Sequence, residues 1–140
     1  MTGHDLGRVL LLVCALVVMP ACDDSPTSPS DAVGQTWHLV SLQRDGSDLI
    51  LSPDPTQFTL RLEEDGRAAV NANCNSCGGS YSMDGSAIEF SAIACTKVAC
   101  PNGGPFDSDY AAALEGPKTV SVDDPEMVIR GSGVTLRFRR

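Results

Sequence analysis

Four cysteines set around a turn constrain this chain more than any other feature. Cys74, Cys77, Cys95 and Cys100 follow the spacing C-x2-C-x17-C-x4-C. Between the two pairs lies "GGSYSMDGSAIEF", an alternating stretch broken by Asp84-Gly85. Three chemistries use such spacing. A four-thiolate zinc site needs two close pairs. A redox couple needs a reactive C-x-x-C, usually at a helix N-terminus that lowers the thiol pKa. Structural disulfides need only an oxidising compartment.

The N-terminus bears on that choice. Arg8 precedes an unbroken apolar run from Val9 to Met19. The run is shorter than the roughly 20 residues that span a bilayer and fits the core of a secretory signal. It ends in Met19-Pro20-Ala21-Cys22, which resembles the lipobox of bacterial lipoproteins. That resemblance implies a signal peptide over 1–21, cleavage before Cys22, and lipid on Cys22. A plain secretory signal is the alternative. The Pro-, Ser- and Asp-rich stretch up to Val33 has little to bury and reads as a disordered tether over 22–33. From Gly34 to Arg140 about 107 residues remain, enough for one domain with a modest core.

An exported chain favours disulfides, because thiolate zinc sites and free dithiols must stay reduced. The Cys74–Cys77 segment also lacks a following helix signal, which weakens the redox reading. The pairing stays open on the residues alone. A two-residue turn at Asp84-Gly85 sets Cys74 opposite Cys95, pointing to Cys74–Cys95 with Cys77–Cys100. A bulge at Gly78-Gly79 shifts the register and permits the nested pairing instead. Closing a loop of this size contributes on the order of 3 kcal/mol, useful in a domain with four Phe, two Tyr and one Trp.

Strand signals dominate elsewhere. Trp37, Leu39 and Ser41 alternate, with a turn near Asp45-Gly46. "LILSP" is a short apolar run. Phe58, Leu60 and Leu62 share a face before a type I′ turn at Asp65-Gly66. Tyr81 and Met83 lead into Asp84-Gly85. Val134, Leu136 and Phe138 follow a turn at Gly131-Ser132-Gly133. These hairpins predict antiparallel sheet. One segment is helical: Asp107 or Ser108 as N-cap, Tyr110, Ala111 and Leu114 on one face, and Gly116-Pro117 as the stop. The predicted fold is mainly β, a small antiparallel barrel-like sheet with one short helix, stapled by disulfides.

Charge narrows the function. The formal net charge is −8. Loss of residues 1–21 removes one acid, Asp5, and one base, Arg8, and leaves it unchanged. This argues against nucleic acid and against electrostatic attachment to anionic lipid. His38 is the one histidine beyond the signal, and it reads as a half-exposed strand residue. Glu63, Glu64 and Asp65 cluster before a hairpin glycine and read as a solvated turn.

The central residues resemble a known signature. Cys74-Asn75, Gly79-Ser80-Tyr81 and Thr96-Lys97-Val98-Ala99-Cys100 are similar to the motif of the META domain (HslJ-like) family. Trp37, Phe58, Leu114 and Leu136-x-Phe138 match in order, so the resemblance covers nearly all of 35–140. Asn73 stands where the family usually has glycine, and Asn tolerates left-handed backbone. Cys77 and Cys95 are additions to the family pattern. Their joint appearance implies that they pair, leaving Cys74–Cys100 as the family bridge. The resemblance implies a small barrel-like β fold with one helix, an envelope or secreted location, and a link to stress tolerance. It supplies no catalytic residues; Asn75, Gly79, Tyr81, Thr96 and Ala99 are its motif positions here.

The expected protein is therefore a non-enzymatic lipoprotein of a bacterial envelope, a binding or stress-tolerance module. It is attached to a membrane through Cys22 and needs no cofactor or metal. Asp23 and Asp24 point to inner-membrane retention under one sorting rule that is not universal, so the membrane stays undecided. A small-ligand carrier with a barrel cavity is the alternative, and a thiol-redox protein using Cys74 and Cys77 a weaker one.

Overall fold

A computed structural model describes residues 27–140. The lipobox and Cys22 lie outside the described residues. A short 3-10 helix, Pro29–Ala32, comes first, capped by Ser28 and Asp31 in a reciprocal capping box. Ala32 is fully buried, and its carbonyl accepts from Trp37 Nε1 at 2.9 Å. Val33 bridges to Leu62. The expected tether over 22–33 is thus too long: Pro29 to Val33 belong to the fold, because the indole donor needs a buried acceptor and Ala32 supplies it.

Ten strands follow: β1 Thr36–Arg44, β2 Ile50–Leu51, β3 Phe58–Leu62, β4 Arg67–Ala72, β5 Asn75–Asp84, β6 Ala87–Phe90, β7 Ala94–Cys95, β8 Gly116–Asp123, β9 Glu126–Gly131 and β10 Val134–Arg139. Helix α1, Pro105–Leu114, sits between β7 and β8. Eight strands close a barrel in the order β1-β3-β4-β5-β6-β8-β9-β10, with β10 returning to β1. All these neighbours are antiparallel. Closure removes most free edges. The remaining two strands lie off the ring: β2 extends β1 beyond β3, and β7 extends β5 beyond β6.

Alternation carries the core. Leu60, Leu62, Met127, Ile129, Leu136 and Phe138 point inward with Trp37 and Leu39. The helix buries Tyr110, Ala111, Ala113 and Leu114 against them. Phe58 meets Phe106 and Tyr110 edge-on, with centroids at 5.0 and 5.8 Å, a favoured aromatic geometry. Among the described residues every core residue lies between Ala32 and Phe138, so residues 27–140 close a barrel around a core of their own.

Several local expectations shift. A bulge between Leu39 and Ser41 changes the phase of β1, so Leu42, not Ser41, joins the apolar interior. At Asp65-Gly66 the loop has three residues: Glu63 N–H donates to Arg67, Gly66 N–H donates to Glu63, and Gly66 takes φ +85°. This is a type I turn with a bulge, not type I′. The next turn is centred one residue later than Asp84-Gly85. Asp84 pairs with Ala87, so Gly85 and Ser86 are central, and only Gly85 has positive φ. That is the II′ form, which wants glycine first. The helix begins at Pro105 with Gly104 as N-cap, because proline at the first helical position needs no N–H partner. Asp107 and Ser108 lie inside its first turn. Gly116-Pro117 ends the helix and at once starts β8, a strand that the sequence reading did not anticipate.

Candidate functional site

The cysteine region forms from the edge of β5. This strand pairs with β6 from Tyr81 to Asp84, and with β7 at Cys77 and Gly78. Between them the register slips by one residue, so Ala92 and Ile93 bulge across Gly79. A Cβ on Gly79 meets Ala92 O, Ile93 Cδ1 and Ser91 Oγ at 2.9 Å, closer than real contacts allow. The glycine is there because the bulged chain crosses its face. The slip decides the disulfides. Cys77 lands opposite Cys95 and bonds to it, with Cα atoms 4.0 Å apart. Cys74, in the turn at Asn73 (φ +60°), bonds to Cys100 across 5.6 Å. The pairing is nested; the regular-turn register that set Cys74 opposite Cys95 fails on both the turn and the bulge.

Asn75 ties the loop after β7 to this frame. Its Oδ1 accepts from Val98 N–H at 2.7 Å and Thr96 Oγ1 at 3.0 Å, while Nδ2 donates to Val98 O at 3.1 Å. Thr96 Oγ1 in turn accepts from Ser76 N–H. Tyr81 donates its hydroxyl to Glu63 O at 2.7 Å, locking β5 to the β3–β4 turn. Burial, then the nearby Asp65, Glu63 and Glu64 carboxylates, raise its pKa. Ala99 is exposed. Four of the five motif positions therefore work as clamps or as a steric gap.

The other candidates separate. Arg61 pairs with Glu63 at 3.0 Å and Arg67 with Asp65 at 2.7 Å. The Arg67 hydrogen bonds hold the Asp65 carboxyl below its usual range. The acidic cluster is a paired, solvated turn. His38 is half-buried on the outer face of β1, with Nδ1 3.1 Å from Pro55 O. Among the described residues no group of three or more His, Cys, Asp or Glu side chains could hold a metal ion, and no helix is long and apolar enough to cross a membrane.

A groove of about 450 Å³ runs between α1 and the β7 segment. Ala72, Ile93 and Ala111 give it an apolar floor, and Thr96, Lys97, Ser108 and Glu115 a polar rim. Glu115 Oε1 accepts from Ile93 N–H at 2.9 Å and so anchors the bulge to the helix end. A second groove of about 460 Å³ lies beside Cys74, Pro53 and Asn102. Asp107 lines both, and accepts from Asn73 Nδ2 at 3.1 Å. Sequence reasoning missed Glu115 and the buried Lys118, whose Nζ donates to Glu115 O. Burial lowers the Lys118 pKa against the pull of Glu115. A charge just after a helical run and another just inside a strand were the available signals.

Comparisons place this geometry. A protein from Burkholderia xenovorans, solved by NMR, superposes with a TM-score of 0.65 at 22% identity, covering 100% of this chain and 98% of its own. A DUF4847-family protein from Bacteroides vulgatus gives 0.56 at 15%, covering 77% and 93%. An uncharacterised protein from Bacteroides eggerthii gives 0.54 at 16%, covering 79% and 99%. At these identities they share the fold. Among curated proteins none matches the chain. The META domain profile matches residues 30–140, the whole barrel with its 3-10 helix. The chain belongs to the META domain family.

Proposed function

We propose that the protein is a non-enzymatic, lipid-anchored binding module of a bacterial envelope, and that the groove between α1 and β7 takes its ligand. One observation carries the binding reading. Two family-motif side chains, Asn75 and Thr96, are spent on holding the loop after β7, and what they hold is one wall of an apolar-floored groove with a polar rim. Such sites suit a compact ligand with an apolar body. The interior is occupied by Trp37, Tyr110 and Phe138, so the carrier alternative moves from a barrel cavity to this groove. The thiol-redox alternative loses its couple, since Cys74 and Cys77 bond to different partners. Lipidation at Cys22 rests on the lipobox.

Two measurements test the two parts. Labelling with a fatty-acid analogue is expected to mark the wild-type protein and not Cys22→Ala; equal or absent labelling of both removes the anchor. Native mass spectrometry of envelope-purified protein is expected to show a bound mass that Ala112→Trp, at the exposed groove rim, expels. No bound mass in the wild type removes the ligand reading.

A further inference from the structure

The net charge of −8 hides an asymmetry on the barrel wall made by β2, β1, β10 and β9. Register shows which residues share its outer face. In one row Leu51 pairs with Ser41, Ser41 with Arg137, and Arg137 with Val128. The row above joins Gln43, Thr135 and Arg130; the row below joins His38, Arg139 and Glu126. Leu51 is 66% exposed, Leu49 50%, Ile50 47% and Val40 39%. Of these, register puts Leu51 on the outer face, whereas Ile50 pairs with Leu42 and faces the other way; Val40 is the bulged residue beside Ser41, and Leu49 leads into β2. Arg130, Arg137 and Arg139 are exposed. None of them has a carboxylate within ion-pair distance among the described residues, whereas Arg61, Arg67 and Arg140 each do. The acids near this wall include Glu126, across from Arg139, Asp45 and Asp48 in the loop after Arg44, Asp54 beside the Pro55 carbonyl that His38 meets, and Asp124, which is paired with Arg140.

Exposed aliphatics beside unpaired arginines are what an anionic lipid surface takes up. Aliphatic side chains enter the headgroup boundary, and guanidinium groups pair with phosphate oxygens. The chain enters at the start of β1, where Val33 bridges to Leu62 of β3. Ala32 is bonded to Trp37, and the next residue, His38, pairs with Arg139. With Pro29–Val33 folded, the reach from Cys22 to Ser28 is only about 20 Å at about 3.3 Å per residue. A second copy of this chain is a poor occupant, because it sets arginine against arginine. We infer that the β2-β1-β10-β9 wall lies on an anionic membrane surface, with Leu51 in the headgroup region and Arg130 and Arg137 on phosphates. The acidic remainder of the domain is repelled and sets the orientation. This placement rests on the envelope reading but not on the acyl chain.

The test uses residues 27–140, which lack Cys22, so failure of lipidation and failure of this surface are separate results. Co-sedimentation is measured with vesicles of equimolar phosphatidylglycerol and phosphatidylcholine, and with phosphatidylcholine alone. The domain is expected to bind the anionic vesicles, less so at high ionic strength. Each arginine removed lowers partitioning about fivefold, so Arg130→Gln with Arg137→Gln loses more than tenfold. Leu51→Ser weakens binding further. Arg67→Gln, on β4 and ion-paired with Asp65, leaves it unchanged. Unchanged thermal midpoints show that the surface variants fold. Absent binding to the anionic vesicles, or equal loss with Arg67→Gln, overturns the proposal. A concentration-dependent dimer that Leu51→Ser dissolves, without vesicle binding, also overturns it and assigns the wall to a second copy.

Discussion

The two walls of this barrel solve the same problem by different means. On the β1-β10 side a ladder runs from His38 to Arg44 against Val134 to Arg139 with one bulge, and β9 and β8 continue it. Main-chain bonds and the apolar interior suffice there. On the β5 side the neighbour changes midway from β6 to β7, and the chain then leaves the sheet for α1. One backbone bond, Thr96 N–H to Ser76 O, follows Cys95, and the loop beyond it has no strand partner. Two disulfides, the Asn75 clamp and Glu115 take over. Covalent and side-chain bonds appear where backbone pairing stops, which teaches that the motif of this family marks a mechanical weak point.

The largest expected effect lies on the continuous wall. Trp37→Ala removes the fully buried indole and its bond to Ala32. It is expected to destabilise by about 3–5 kcal/mol, read as a denaturant midpoint with unchanged slope. A loss below 1 kcal/mol breaks the claim that packing alone holds this side. Next come the bridges. Cys74→Ala with Cys100→Ala opens a sequence separation of 26, and Cys77→Ala with Cys95→Ala one of 18. Each double variant is expected to lose about 3 kcal/mol, and removing both less than the sum, because the loops are nested. Amide exchange under reductant sharpens the comparison. Protection is expected to fall at β5 and β7 first while β1 and β10 hold; simultaneous loss sinks the distinction.

Asn75→Ala is the next step down. It takes away three hydrogen bonds to Thr96 and Val98 but leaves both disulfides. A loss of about 2 kcal/mol is expected, at roughly 0.7 kcal/mol for each of the three exposed bonds. If it matches the removal of a bridge, the clamp and not the disulfides carries this side.

How much of this was legible follows the same division. The alternation of Phe58, Leu60 and Leu62, or of Val134, Leu136 and Phe138, names strand and face at once, and both are as read. The helix face of Tyr110, Ala111 and Leu114 is also as read. What failed depends on single-residue slips. The bulge at Val40 exchanges Ser41 for Leu42, and the turn at Gly85-Ser86 with the bulge at Ala92-Ile93 decides which cysteines meet. Alternation reports a face but not a register, so one inserted residue leaves its pattern intact and changes every partner. Only the family pattern, through the joint presence of Cys77 and Cys95, implied the nested bridges. Ala32 escaped for another reason: its burial comes from a distant indole, and Pro-Ser-Asp composition carries no trace of that. The groove was equally hidden, because its walls come from β7 and α1, and β7 has only two residues.

The smallest expected effect tests whether the shared interior is as well made as the walls. Tyr110 is fully buried, and its hydroxyl has no hydrogen-bond partner among the described residues. Replacing such a group by an apolar one of the same shape is near neutral or stabilising. Tyr110→Phe is therefore expected to gain up to about 1 kcal/mol at neutral pH. Burial also pushes the phenol well above its ordinary value of 10.0. Folding thus favours the neutral form. The stability linked to this group is fully present below pH 10 and is lost as pH rises from there toward the folded value. Tyr81, raised in the same direction, adds a smaller loss in the same window. Denaturant titrations above pH 10 should show the wild type weakening with pH, and Tyr110→Phe keeping only the smaller slope that Tyr81 leaves. An unaltered slope in the variant shows that the hydroxyl reaches a partner or solvent and that the interior behind α1 opens. That result shifts the weak point from the loop after β7 to the helix beside it.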